Sequence, residues 1–163
     1  MNTEANERVI DASALRLAVF SDTYPPQVNG VARTLERLVR AVKERGGTAR
    51  VFTTDDPEAA PLENVERYPS VPFWAYKQLR LAWPRQSRVN ASVAAFRPTL
   101  VHAATEFGVG LAGRRAARSL DVPFVSSYHT SFTAYAQFYK LGLLAQPALA
   151  RATRLHTARR PRR

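Results

Sequence analysis

No cysteine occurs in the 163 residues. That excludes a disulfide scaffold, a thiolate metal site and a cysteine nucleophile. No apolar run approaches the ~20 residues that a membrane-crossing helix needs. The stretch from Met1 to Leu15 carries Glu4, Glu7 and Asp11 and lacks an apolar centre, so it does not read as a secretory signal. G-x-x-x-x-G-K-[ST] is missing, which excludes a P-loop. G-x-S-x-G is missing too, which leaves a serine triad unsupported. No carboxylate pair suggests glycosidase chemistry, and no cluster of histidines and carboxylates suggests a metal site. Together these absences predict a cytoplasmic protein without a metal centre.

What is abundant is arginine. Of 24 basic residues only Lys43, Lys77 and Lys140 are lysines, and the net charge is +11. Residues 151–163 hold six arginines and no acid, so they supply +6 and the preceding 150 residues +5. One reading is a solvated basic surface with a tail. The other is a basic binding module for nucleic acid or an anionic membrane surface. A nucleic-acid reader would interleave aromatics with arginines on one surface, and outside the tail they are scattered, so no specific nucleic-acid partner is expected. The composition, 45% hydrophobic and 10% aromatic, supports a folded core.

The hydrophobic pattern predicts a strand at Arg16–Ser21 and a loop rich in proline through Gly30. A helix follows with Val31, Leu35, Leu38, Val39 and Val42 on one face. Asn29 is its expected N-cap, and Gly46-Gly47 ends it. Arg50–Thr54 reads as a second strand, residues 55–64 as a loop, and Val65–Tyr68 as a short strand. Pro69 to Pro84 is proline-rich and aromatic without a clear period and reads as irregular. Further on, the pattern predicts a helix at Arg88–Phe96, a strand at Pro98–Ala103 and a helix at Thr105–Leu120. A strand at Pro123–Tyr128 and a helix from Thr130 to about Tyr139 close the series. Strands alternating with helices predict an α/β fold: a doubly wound, mostly parallel, Rossmann-like sheet with helices on both faces. The expected organisation is a polar leader over 1–14, one domain over 15–148 and a basic tail over 149–163 outside the core.

Ligands of such sheets bind beyond the carboxyl ends of the strands. The loops there offer Asp22, Asn29, Thr105, Glu106, His129 and Thr130. Gly30 begins a helix whose free N–H groups favour an anion such as a phosphate, or it only permits the turn. The 22–30 loop holds one glycine, which is no dinucleotide fingerprint. His129 is placed to donate to a hydroxyl or phosphate or to act as acid or base. It also suits a capping role. Glu106 suits a hydroxyl ligand or a helix N-terminus. His102, inside a strand, reads as structural.

Two stretches carry a resemblance. Arg16–Leu35, RLAVFSDTYPPQVNGVARTL, resembles the opening of the retaining glycosyltransferases of family 4. Within Pro98–Lys140, PTLVHAATEFGVGLAGRRAARSLDVPFVSSYHTSFTAY resembles the end of the same N-terminal domain, closest in flavour to the bacterial mannosyltransferase and plant sulfolipid synthase branch. The resemblance covers about residues 15–145. It implies one half, the acceptor side, of a two-domain GT-B fold. It implies transfer of a hexose such as mannose from a nucleotide-diphosphate sugar to a lipid or glycan hydroxyl, with no obligatory metal and no cofactor besides the donor. On this resemblance Asn29, Gly30 and Val31 match the loop that approaches the donor diphosphate, and His129 matches the histidine contacting the transferred sugar. Asp22, Glu106, Tyr128 and Thr130 would face acceptor or sugar. The aromatic segment Phe73–Trp83 would shape acceptor access or pack against the domain's own helices. The family's second domain, with its E-x7-E segment and nucleotide pocket, is not among these residues. After Gly142-Leu143-Leu144 the sequence runs into LARATRLHTARRPRR. That reads as a truncated or frame-shifted ending, and the chain by itself is expected to be inactive.

Overall fold

The computed structural model describes residues 11–73 and 76–127, with the backbone alone at 76–79. Seven strands and three helices appear among them: β1 (Arg16–Phe20), α1 (Gly30–Glu44), β2 (Thr48–Thr54), β3 (Val65–Tyr68), β4 (Ser70–Phe73), β5 (Tyr76–Ala82), α2 (Gln86–Phe96), β6 (Leu100–Ala103), α3 (Gly108–Ser119) and β7 (Phe124–Ser126). Five strands form a parallel sheet in the order β3-β2-β1-β6-β7. The chain winds outward from β1 to one side, crosses back through α2, and winds outward to the other. The switch in direction therefore falls between β1 and β6, which pair with Val19 opposite His102. This is the doubly wound, Rossmann-like α/β architecture expected from the alternation of elements, half of a GT-B fold.

Period-two alternation distributes β1 between two cores, which is why its residues read as a continuous apolar run. Ala18 and Phe20 join Phe52, Tyr68, Val89, Val93, Val101, Val109 and Ala116 beneath α2 and α3. Leu17 and Val19 join Tyr24, Leu35, Val39, Val42 and Val51 beneath α1. The rings of Phe20 and Phe52 stack at 4.4 Å. Full burial of each such ring contributes about 1.5–3 kcal/mol.

The N-cap expectation holds: the Asn29 side chain accepts from Ala32 N at 2.9 Å. Gly46 stands at φ +82, where a side chain is strained. The chain before residue 15 is already tied down from Ala12, whose N–H donates to Arg45 O at 3.0 Å. The aromatic stretch is not irregular. β4 and β5 form an antiparallel hairpin, with Val71 opposite Leu81 and a register shift between Pro72 and Phe73. Prolines hid it, since a two-stranded ribbon has free edges where a missing N–H costs little. Helix α3 starts at Gly108 rather than Thr105, because Thr105 is engaged elsewhere.

Candidate functional site

The β1–α1 loop leaves the sheet at the direction switch and is held by its own side chains. Ser21 Oγ donates to Thr23 O at 2.7 Å. Thr23 Oγ1 donates to Gln27 Oε1 and accepts from Asn29 Nδ2, both at 2.7 Å. Arg67, from β3, reaches across: its Nη2 donates to Pro25 O at 2.6 Å and its Nη1 to Thr54 O at 3.0 Å. The Pro25–Pro26 bond inside the loop is cis. The first amides of α1, those of Gly30 and Val31, have no carbonyl within the helix to bond. A Cβ built on Gly30 would meet no atom within 4 Å, and its φ lies outside the left-handed region. The helix start therefore has two N–H donors without a partner inside the helix and open space beside Gly30, a geometry that suits an anion.

Asp22 lies at the strand end where it was expected but faces inward. It is fully buried. Its Oδ2 accepts from Thr105 Oγ1 at 2.5 Å and its Oδ1 from Val109 N at 3.1 Å. Its own N–H donates to Thr105 Oγ1 at 2.9 Å, and Thr54 Oγ1 donates to its carbonyl at 3.2 Å. The contact with acceptor or sugar expected of this side chain is replaced by internal ones. One carboxylate oxygen ties the β1–α1 loop to the β6–α3 loop at Thr105 and the other ties it to the first turn of α3 at Val109, across the direction switch. Burial pushes its carboxyl up from 3.8 to about 6, against the lowering pull of Thr105, Val109 and Gly110.

The same geometry exposes a motif that attention to the 22–30 loop passed over. Residues 108–113 read GVGLAG, a G-x-G-x-x-G that opens α3 after β6, which is the spelling of a dinucleotide fingerprint. Its glycines serve packing. A Cβ on Gly108 would stand 1.8 Å from Ala82 O, one on Gly110 1.8 Å from Thr105 O, and one on Gly113 2.3 Å from the Phe20 ring. Phe107 gives α3 no side-chain cap, and the Asp22 carboxylate sits where a phosphate would.

Glu106 is half-buried in the β6–α3 loop, just before the first turn of α3. His102 pairs through Nε2 with Ser127 Oγ at 2.7 Å, in keeping with a structural role. Tyr128, His129 and Thr130 lie outside the described residues. Arg67 was not read as part of this region. Its bond to Pro25 spans 42 positions, and no local signal announces it.

The chain matches Glycosyltransferase Family 4 over residues 28–163. It is 34% identical over 139 residues to the alpha-monoglucosyldiacylglycerol synthase of Streptococcus pneumoniae, covering 84% of this chain and 32% of that protein. A GDP-mannose-dependent alpha-mannosyltransferase of Mycolicibacterium smegmatis is 29% identical over 88% of this chain and 40% of its own length. A sulfoquinovosyl transferase of Arabidopsis thaliana is 30% identical over 95% of this chain and 33% of its own. The chain thus spans about a third of the length of these relatives.

Proposed function

The chain belongs to glycosyltransferase family 4, and from that premise we propose that its domain is the acceptor-side half of a site that transfers a hexose from a nucleotide-diphosphate sugar to a hydroxyl of a lipid or glycan. The observation that carries this reading is the open amino end of α1. The Gly30 and Val31 amides have no carbonyl partner within the helix, a Cβ on Gly30 would meet no atom within 4 Å, and Asn29, bonded to Thr23, caps the helix beside them. Such donors stabilise the charge that grows on a departing diphosphate, and they need no reorganisation to do so. Asp22 serves that site by positioning, through Thr105 and Val109. His129 contacts the transferred sugar, while Glu106, Tyr128 and Thr130 line the acceptor side. The relatives' names speak of GDP-mannose and of diacylglycerol products, so a hexose donor and a lipid acceptor are the substrates to try first. The place of action is the cytoplasm, with peripheral contact at the inner membrane face.

Two N–H groups alone do not hold a nucleotide firmly. The 163-residue polypeptide, incubated with GDP- and UDP-hexoses and a lipid acceptor, should give no product. The donor's contact should still be visible: adding GDP or UDP to the 15N-labelled chain should shift the amide resonances of Gly30 and Val31. Shifts confined to the arginine-rich residues 151–163 would overturn the reading.

A further inference from the structure

Pro25 and Pro26 carry no N–H, so the middle of the β1–α1 loop can be tied only through its carbonyls, and a carbonyl needs a donor from elsewhere. The donor comes from the edge of the sheet. Arg67 stands on β3 opposite Thr53 of β2, and its guanidinium reaches over the end of β2. Nη2 donates to Pro25 O at 2.6 Å and Nη1 to Thr54 O at 3.0 Å. Among the described residues no other side chain from outside the loop bonds to residues 24–28. Both accepting carbonyls belong to the frame of the site. Thr54 donates through Oγ1 to Asp22 O at 3.2 Å, where the loop begins. Pro25 lies between Thr23 and Gln27, whose side chains bond each other at 2.7 Å, and Thr23 Oγ1 also accepts from Asn29 Nδ2.

We infer that Arg67 is a positioning residue of the site: its fork holds the β1–α1 loop in one shape and so sets the Gly30 and Val31 amides for the diphosphate. This role rests on the proposed function for what the amides receive; the clamp itself does not. Planar geometry is what the clamp needs. Two carbonyls from different segments are spanned by N–H groups held at a fixed angle, which the point-like ammonium of lysine does not supply. Direct attraction of a phosphate is not the role, because the fork is spent on carbonyls and Asp55 and Asp56 lie close enough to offset its charge. Donors that stabilise growing charge work by being in place beforehand, and a shift of about 1 Å in such a group can cost about a hundredfold in rate. Arg67 is half-buried on an edge strand, so its loss is felt at the loop before it is felt in the core.

The test compares Arg67→Lys and Arg67→Ala with the unaltered 15N-labelled chain. In both variants 15N relaxation should show the amides of residues 27–31 more mobile on the picosecond-to-nanosecond scale, with melting within a few degrees of the parent. The shifts of Gly30 and Val31 on adding GDP should shrink by about half or more. Guanidinium ion at about 20 mM, far below denaturing strength, should restore both readouts in Arg67→Ala by taking the place of the fork. Methylammonium at the same concentration should not. In a two-domain enzyme bearing this domain, Arg67→Lys should lower kcat about tenfold or more and leave acceptor KM in place. Loop order and GDP shifts unchanged in both variants would overturn the inference. So would a loss that tracks melting and ignores guanidinium. GDP shifts absent from the unaltered chain would sink the transferase reading instead, and relaxation of residues 27–31 would still decide the clamp.

Discussion

Two strand-to-helix turns stand side by side at the carboxyl edge of the sheet, and they are finished in opposite ways. The turn after β1 has one glycine, and the helix start it leads to is open. The turn after β6 leads into three glycines in a fingerprint spacing, and its helix start is closed. A carboxylate from the first turn closes the second: Asp22 accepts from Val109 N at 3.1 Å. The number of glycines therefore says little about where a ligand goes. At Gly30 a Cβ would find empty space, which the proposed ligand would share, and at Gly108 and Gly110 it would strike carbonyl oxygens of the neighbouring chain. In the second turn the helix dipole serves the fold, and in the first it is left for the proposed diphosphate.

The contrast breaks hardest at Gly110. Gly110→Ala drives a methyl into the Thr105 carbonyl, and backbone must move. The expected loss is about 3 kcal/mol or more, read as a fall of about 10 °C in melting temperature. Asp22→Ala comes next. It leaves the Thr105 hydroxyl and the Val109 N–H without their acceptor, at about 2–3 kcal/mol in chemical denaturation. Asp22 also leaves a signature in pH. Its carboxyl titrates near 6 when folded and near 3.8 when not. Between those values the folded chain holds a proton that the unfolded chain has released, so stability falls as pH rises from about 4 to about 6 and levels off above. Asp22→Asn should flatten that slope. A slope unchanged in the variant would assign it to another group.

How much of this was legible follows from the range of the contacts involved. The sheet was legible because β1, β2 and β6 are short apolar runs separated by a helical period, and that pattern is local. The Asn29 cap was legible because its partner is three residues away. The β4–β5 hairpin was not, since Pro69, Pro72 and Pro84 carry loop signals and no period survives among the aromatics. Asp22 was placed correctly at a strand end, but its inward turn depends on Thr105 and Val109, more than 80 positions on. The GVGLAG spelling points to a nucleotide, and only the distances to Ala82, Thr105 and Phe20 show what the glycines do. Glu106 keeps both of its readings.

Asn29→Ala tests the open side of the comparison with a smaller effect. It removes the acceptor for Ala32 N and the donor to Thr23 Oγ1, and a lost N-cap of this kind costs about 1 kcal/mol. Melting should fall by a few degrees, and the shifts of Gly30 and Val31 on adding GDP should shrink as the loop loosens. Restored shifts in Asn29→Asp would tie the effect to the cap.

The smallest effect on stability is expected at Gly30, and it separates the two turns most sharply. Glycine is required either by a positive φ or by something that must come close. The backbone excludes the first: Gly30 does not occupy the left-handed region, and alanine fits its conformation. Alanine is also the better helix former at an ordinary helix position. Gly30→Ala should therefore change the unfolding free energy by no more than about 0.5 kcal/mol in either direction. The added methyl nevertheless enters the open space beside Gly30, where the proposed diphosphate would sit. A diphosphate seated there would be pushed outward, and a hydrogen bond near 2.9 Å weakens steeply when stretched. In a two-domain enzyme bearing this domain, donor KM should rise and kcat fall together while the melting temperature stays put. The same change at Gly110, whose backbone adjoins the Asp22 carboxylate, should do the reverse and unfold the domain before any ligand is added. Full donor use by Gly30→Ala would remove the phosphate from this turn and leave the open helix end without a ligand to explain it.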